Sequence, residues 1–489
     1  MAGRAQPGVS ATIGSDDASD GVMPKYDVVV VGGGTAGMTA ALAARSRGKR
    51  VAIVERELRL GGDCTFYGCV PSKALIELAR LAHDTKRAAA AGVFDRAPAL
   101  DFAAVQRESA RIVEEIARDE RDERFTGAGV DVLHGDARFT SPTVLEVAGT
   151  PVAAAAFVIA TGSEPAVPPV DGLETVPYLT NRTIFSLAEL PCRLLVLGGG
   201  AIGLELAQAF RRFGSEVVVI EMLDLLLPRD EPEAGAALAG VLSGEGVDLR
   251  LGAKVISARN ESNDIVLTLD EGEVRGDALL VAAGRRSNIE GLGLDVLGVV
   301  FERGYVAIDD HARTNLENVY AAGDVTGGLQ FTHVASHEGR VAGLNAAGKH
   351  AKLDLRVAPW VTFTDPEIAH VGLTEAEARE RHDDVRVATY PMARVDRARI
   401  EGQPVSFVKL VTAKRRFVGR LGGGELVGAQ VVGLRAGELI QECSLAMQTR
   451  SFAGRLTQTI HPYPSMSMAV QQAAAQLFPL GRLLAERDP

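Results

Sequence analysis

The sequence predicts an α/β fold: two Rossmann-like units of strand, glycine turn, helix and strand, followed by a smaller α+β domain. Three observations carry this. "YDVVVVGGGTAGMTAALAARSRGKRVAIVE" (Tyr26 to Glu55) places a buried apolar strand before a glycine turn, an alanine-rich helix and a second strand. "RLLVLGGGAIGLELAQAFRRFGSEVVVIE" (Arg193 to Glu221) repeats the pattern. From Asp354 the texture changes to strands such as "SFVKLVTA" and "LVGAQVVG" and to one helix, "AGELIQECSLAMQTR".

Each repeat carries G-x-G-x-x-G: Gly32, Gly34 and Gly37 in the first, Gly198, Gly200 and Gly203 in the second. The first glycine allows a tight strand-to-helix turn. The second lets backbone approach a pyrophosphate, and the third lets helix and strand pack closely. The helix N-terminus then faces the anion. Glu55 and Glu221 each stand eighteen residues after the last glycine, where a carboxylate accepts from ribose hydroxyls. One such glycine motif is weak evidence. Two with matched flanks and spacing indicate two dinucleotide sites. Glu221 repels a 2′-phosphate, and Met222, Leu223 and Asp224 follow it with no arginine, so NADH is expected there in preference to NADPH. The first site then takes another dinucleotide, and FAD is the natural candidate if the chain passes electrons to sulfur. Three further short strands end at small-residue turns: "FVIATGS" (157–163), "LLVAAGRRSN" (279–288) and "NVYAAGDVTG" (318–327). Asp324 in the last can accept from a sugar hydroxyl.

Bulk properties narrow the partners. A chain of 489 residues needs roughly two to four domains. Lys+Arg 52 against Asp+Glu 63 gives a net charge of −11, which repels nucleic acid. No apolar run has the length of a membrane span. Residues 1–24 lack the basic start and apolar middle of a signal peptide and are expected to form a disordered tail. Four cysteines are too few for a disulfide-built secreted fold, so a cytoplasmic protein is expected.

Two of those four lie together in "GGDCTFYGCVPSK", as Cys64 and Cys69. On an ideal helix an i, i+5 pair is on the order of 8–9 Å apart between Cα atoms. A disulfide rarely tolerates more than about 7 Å. If the two bridge, the segment is distorted or Cys64 precedes the regular helix. Gly61, Gly62 and Gly68 permit a bend, and Pro71 is tolerated only in a first turn. A helix starting here also lowers the pKa of a thiolate at its N-terminus. A zinc site is the rival, but Cys192 and Cys443 are solitary with no histidine near either, so no metal is expected. Inert core thiols are the other alternative to a redox dithiol.

From Tyr26 to about Phe478 these motifs resemble those of the flavoprotein pyridine nucleotide–disulfide oxidoreductases. The resemblance implies two Rossmann-like domains, for FAD and NAD(P), and a C-terminal α+β dimerisation domain. The implied boundaries are 25–190 for the first part of the FAD domain, 191–284 for the NAD(P) domain, 285–353 for the second part of the FAD domain and 354–489 for dimerisation. It implies a homodimer whose active site is shared across subunits. Cys69 is then the thiol against the flavin and Cys64 the interchange thiol that meets a small-molecule substrate. Lys73 is expected beside the flavin, paired with Glu205 of "GLELAQ". Asp324, Gly135 and Ala137 are expected near FAD, and Gly284 along the nicotinamide cofactor.

The family pattern breaks near the C-terminus. Members acting on dithiols carry a histidine, oriented by a glutamate, where "HPYPSMSM" places Tyr463 and Met468. A tyrosine with pKa near about 10 is a poor base where an imidazole near about 6.5 is the natural proton shuttle. Tyr463 in this slot, together with "VTFTDPEIAHVG" and "VDRARIEG", is similar to the mercuric reductase branch. That branch carries a second cysteine pair in its tail, which "LFPLGRLLAERDP" lacks. The expected activity is transfer of electrons from NADH, with NADPH as the other possible donor, through FAD to a disulfide, a thiophilic metal or another small electrophile. Dihydrolipoyl dehydrogenase and a flavoprotein scaffold without turnover are the alternatives.

Overall fold

The computed structural model describes residues 25–402 and 405–479. The tail expected over 1–24 lies outside the described residues. Tyr26–Glu55 folds as the pattern requires: strand Lys25–Val31, helix Thr35–Arg45 and strand Val51–Glu55. The two strands pair in parallel, and Val130–His134 continues the sheet beyond Val51–Glu55. Val28 to Val31 and all of Val51–Glu55 are buried, as continuous apolar strands covered on both faces must be.

The long strand Thr150–Ile159 lies on the other side of Lys25–Val31 and changes partners along its length. Its first half pairs antiparallel with Val144–Val147. Its last residues pair in parallel with Val319–Ala321, Phe157 opposite Val319. A strand from beyond the second repeat thus completes the first sheet, so the two units are interleaved in the chain.

The second unit has Arg193–Leu197 at its centre, with Glu216–Glu221 and Val247–Leu251 on one side and Ala278–Val281 on the other, all parallel. The C-terminal unit is a five-stranded antiparallel sheet in the order Pro359–Thr362, Glu367–Gly372, Glu425–Gly433, Phe407–Ala413, Val385–Pro391. Helix Ala436–Gln448 buries Ile440, Cys443 and Met447 in the core that this sheet forms. Lys409 ties this unit to the second: its ammonium lies 2.9 Å from Glu231, 3.0 Å from Glu233 and 2.9 Å from Glu375. Among the described residues no helix is long and apolar enough to cross a membrane.

Close backbone contacts fix the site. Helix Thr332–Ala346 lies on Thr35–Arg45 through Gly339 and Gly343; a Cβ at either would stand 2.2 Å from Ala36 O or 2.1 Å from Ala40 O. This packing holds Thr332 at the edge of the first nucleotide unit. The cysteine segment splits into a short helix, Gly62–Phe66, and a long one, Cys69–Ala90. Cys64 therefore precedes the regular helix, and Cys69 opens it, with Pro71 in its first turn.

The two glycine motifs separate packing from access. A Cβ at Gly37 would lie 1.8 Å from Gly32 O, and one at Gly203 2.1 Å from Gly198 O. At Gly34 the nearest atom is 3.9 Å away, and at Gly200 nothing lies within 4 Å. Gly200 has φ −83°, open to any residue. Gly203→Ala is therefore expected to abolish the folded second unit, whereas Gly200→Ala leaves the thermal unfolding midpoint unchanged and weakens nicotinamide nucleotide binding measured by titration.

Candidate active site

A cavity of about 1490 Å³ runs from the first nucleotide turn past the cysteine pair to the start of helix Ala436–Gln448. Gly32, Gly34, Glu55, Gly135, Ala137, Cys64, Cys69, Lys73, Gly200, Glu205, Gly284 and Asp324 line it. Gly37, Gly198, Gly203 and Glu221 do not; the first three lie in the packed turns beneath it.

Both nucleotide turns are built alike. Glu55 accepts from Gly33 N–H at 2.7 Å and Glu57 N–H at 2.9 Å. Glu221 accepts from Gly199 N–H at 2.6 Å and Leu223 N–H at 2.9 Å. Each oxygen retains a lone pair for a sugar hydroxyl. Helices Thr35–Arg45 and Ala201–Phe213 begin at Gly34 and Gly200 with no side chain capping their N–H groups. Uncapped helix N-termini beneath glycines that leave open space fit dinucleotide pyrophosphates. Gly135 donates to Glu55 O at 2.9 Å, which places it beside the first acid. Gly284 has φ +136° and accepts from Ala166 N–H at 3.0 Å. Asp324 accepts from Ser163 Oγ at 2.5 Å and lies 3.4 Å from Arg285.

The sulfurs converge on one hydroxyl. Thr332 Oγ1 is 3.1 Å from Cys69 Sγ and 3.2 Å from Cys64 Sγ. The two thiols are unbonded in this structure. They titrate as a pair with opposite senses. The hydrogen bond from Cys64 lowers the Cys69 pKa to about 6, with burial opposing and Thr332 and Lys73 assisting. Cys64 is pushed well up, first by that same hydrogen bond to Cys69 and then by burial. At neutral pH the reduced pair is one thiolate, on Cys69, and one thiol, on Cys64. Lys73 Nζ donates to Glu205 Oε2 at 2.8 Å, and Glu205 Oε1 accepts from Phe363 N–H at 2.8 Å. Glu205 is almost fully buried, so it fixes the ammonium one helical turn from Cys69.

Tyr463 stands apart from the cavity. It is 71% exposed, and its hydroxyl donates to Asp396 Oδ2 at 2.8 Å. His333 and His337 both lie on helix Thr332–Ala346. His333 Nε2 contacts Pro359 O at 2.6 Å, and His337 Nε2 faces Asp354 N–H at 3.5 Å. Sequence reasoning missed Thr332, Asp63, Ser163 and Arg285. Arg285 binds Asp63 at 2.7 Å and Ser163 Oγ at 2.7 Å, joining the residue before Cys64 to the one after Gly284. No local signal marks these contacts, since 222 positions separate Asp63 from Arg285.

Fold and site define an oxidoreductase with two dinucleotide cradles meeting at a thiol pair, and comparison with known proteins agrees. The pyridine nucleotide-disulphide oxidoreductase family matches residues 26–339, and the dimerisation domain of the same family matches 358–474. The chain belongs to this family. It is an FAD-dependent oxidoreductase with NAD(P)H as electron partner, and its C-terminal unit is a dimerisation domain. A mercuric reductase of Streptomyces lividans is 38% identical over 461 residues, covering 92% of this chain and 95% of that protein. A dihydrolipoyl dehydrogenase of Thermus scotoductus is 38% identical over 464 residues, covering 93% and 98%. Among solved structures, the Cu(II) complex of the HOCl-induced flavoprotein disulfide reductase RclA from Escherichia coli superposes with a TM-score of 0.83. It is 29% identical and covers 93% of this chain and 100% of its own.

The opposed titration of the sulfurs has a direct readout. In the reduced protein, alkylation of Cys69 by iodoacetamide is expected to rise through an inflection near about pH 6, as the thiolate forms. Cys64→Ala removes the largest cause of the lowered value, so the inflection moves up toward the ordinary thiol range. Mass spectrometry of the modified peptide across pH checks both.

Proposed function

We propose that this chain passes electrons from NADH, through FAD, to a disulfide, a thiophilic metal ion or another small electrophile held at Cys64. One observation carries the reading: the two sulfurs meet at Thr332, in the same cavity as both glycine cradles and the Lys73–Glu205 pair. Bound FAD supplies the step between two-electron hydride chemistry and sulfur chemistry.

The chain's own residues do the rest. Gly34 and the N-terminus of Thr35–Arg45 would hold the first pyrophosphate, and Glu55 and Asp324 would accept from sugar hydroxyls of the bound FAD. Gly135 and Ala137 form the wall beside that site. Gly198, Gly200 and Gly203 shape the second cradle, and Gly284 borders the nicotinamide. Glu221 sets the preference for NADH, because its carboxylate occupies the place a 2′-phosphate would approach. Cys69 holds the thiolate that would stand beside FAD, with the Lys73 ammonium helping to keep it ionised. Cys64 gives its proton to the neighbouring Cys69 thiolate and, as thiolate, ligates a thiophilic metal ion or attacks a disulfide substrate, expelling one half as a thiolate. That half takes the proton back from Cys69, which then attacks Cys64 Sγ, closing the Cys64–Cys69 disulfide and releasing the second half as a thiolate. Tyr463, exposed and outside its own subunit's cavity, serves the sulfur pair of a second copy, as the family resemblance implies. Free Cys192 and Cys443 are consistent with a reducing cytoplasm.

Within the family this reading favours the mercuric reductase branch, supported by Tyr463 in place of histidine and by the names of several relatives. Dihydrolipoyl dehydrogenase is the second reading, favoured by the 38% identical relative of that name and opposed by Tyr463 and Met468. The intact set of Cys64, Cys69, Lys73 and Glu205 opposes a scaffold without turnover.

The test is nucleotide oxidation against a panel of dihydrolipoamide with NAD⁺, low-molecular-weight disulfides and Hg(II), with NADH and NADPH in parallel. NADH is expected to support turnover of an oxidised thiophilic substrate, and dihydrolipoamide is expected to be poor. Tyr463→Phe should lower turnover of that substrate with little change in the rate of reduction by NADH. Efficient dihydrolipoamide oxidation would favour the second reading. No turnover with any partner would favour the scaffold.

A further inference from the structure

The phenol of Tyr463 has one hydrogen to donate, and that hydrogen is committed. It goes to Asp396 Oδ2 at 2.8 Å. An ionised carboxylate only accepts, so the direction of this bond is fixed. What Tyr463 offers outward is therefore its oxygen lone pairs, with a carboxylate directly behind them. Asp396 opens the short helix Asp396–Ile400, so its position comes from a separate segment of the C-terminal unit. Arg399 lies 4.0 Å from the other carboxylate oxygen, and its side chain is 70% exposed, so it compensates that charge weakly. The hydrogen bond to Asp396 also raises the pKa of the phenol, so it stays protonated and uncharged at neutral pH.

The loop bearing Tyr463 is held from the opposite side. The side chain of His461, two residues earlier, is buried and lies 3.1 Å from both carboxylate oxygens of Glu442. Its other nitrogen is 3.0 Å from Thr459 O, which also accepts from Gln471 Nε2 at 2.8 Å. Glu442 follows Gln441, which lines the cavity. His461 thus points inward and anchors the loop, while Ile460 and Tyr463 project outward, 94% and 71% exposed.

We propose that Asp396 is a positioning residue for Tyr463, holding its proton so that the phenol presents only an acceptor oxygen and a neighbouring negative charge to the sulfur pair of a second copy. The pair selects cationic, neutral or hydrogen-bond-donating substrates and disfavours anionic ones. This rests on the reading that Tyr463 serves the partner's sulfurs.

The test uses the FAD-loaded dimer with NADH and two aromatic disulfides of similar chemistry. 2,2′-Dithiodipyridine is neutral, and 5,5′-dithiobis(2-nitrobenzoate) carries two carboxylates. The unmodified enzyme is expected to favour the neutral disulfide in kcat/KM. Asp396→Asn is expected to shrink that preference about fivefold, the scale of removing one partly screened charge a few ångströms away. The change should fall mainly in KM for the anionic disulfide. Asp396→Glu restores the preference, and high salt compresses it in the unmodified enzyme. Equal effects of Asp396→Asn on both disulfides, or failure of Asp396→Glu to restore discrimination, would overturn the proposal. Tyr463→Phe separates the two levels. If it leaves turnover of both disulfides unchanged, the shared-site reading falls and takes this proposal with it. If it impairs turnover while Asp396→Asn acts equally on both, only the role of Asp396 falls.

Discussion

Two sulfurs share one hydroxyl, and the arrangement of the molecule follows from that contact. Thr332 reaches both Cys64 and Cys69 only because helix Thr332–Ala346 lies almost backbone to backbone on Thr35–Arg45. That approach depends on Gly339 and Gly343, where any side chain would collide with carbonyl oxygens. The same helix Thr35–Arg45 begins at the first nucleotide cradle. A single packing contact thus sets the distance between the anion site and the redox pair. The Cys64 thiol, Thr332 and Lys73, acting against burial, then divide one negative charge unequally between the two sulfurs, leaving it on Cys69. Unequal sharing gives the two sulfurs different chemistry: Cys69 carries the nucleophilic thiolate and Cys64 keeps its proton.

The duplication of the nucleotide unit reaches atomic detail. Glu55 and Glu221 each bridge the middle glycine of their turn and the residue two positions on. The acid therefore has a structural duty before any ligand arrives, since it ties the turn to the second strand. What differs is the surrounding connection. The first sheet is closed by Val319–Ala321, from beyond the second unit, and this strand leads directly to Asp324. The second unit is tied through Lys409 to the C-terminal sheet. Donor and acceptor sites are held in one body by these two links.

Much of this was legible in the sequence, and the reasons are local. Glycine spacing, strand–helix–strand order and the terminal acids are all set by contacts within about thirty residues. For a bridging pair, helix geometry left two arrangements, a distorted segment or a Cys64 that precedes the helix; the structure has the second. The Lys73–Glu205 pair came from resemblance alone; no spacing rule joins residues 132 positions apart. Thr332, Ser163 and Arg285 were not legible, because their importance arises when three distant turns meet at one cavity. Tyr463 was visible as a departure from the family pattern. Its tie to Asp396 was not, because the two lie on separate segments of the C-terminal unit.

The central claim is that Cys64 and Cys69 interconvert between dithiol and disulfide at the expense of NADH. The direct measurement is anaerobic alkylation of the FAD-loaded protein under denaturing quench, before and after NADH, read by mass spectrometry of the peptide containing both residues. The account predicts two blocked cysteines before NADH and two labelled ones after it, with Cys192 and Cys443 labelled equally in both. Full labelling of Cys64 and Cys69 without NADH, or no gain on adding it, would contradict the account.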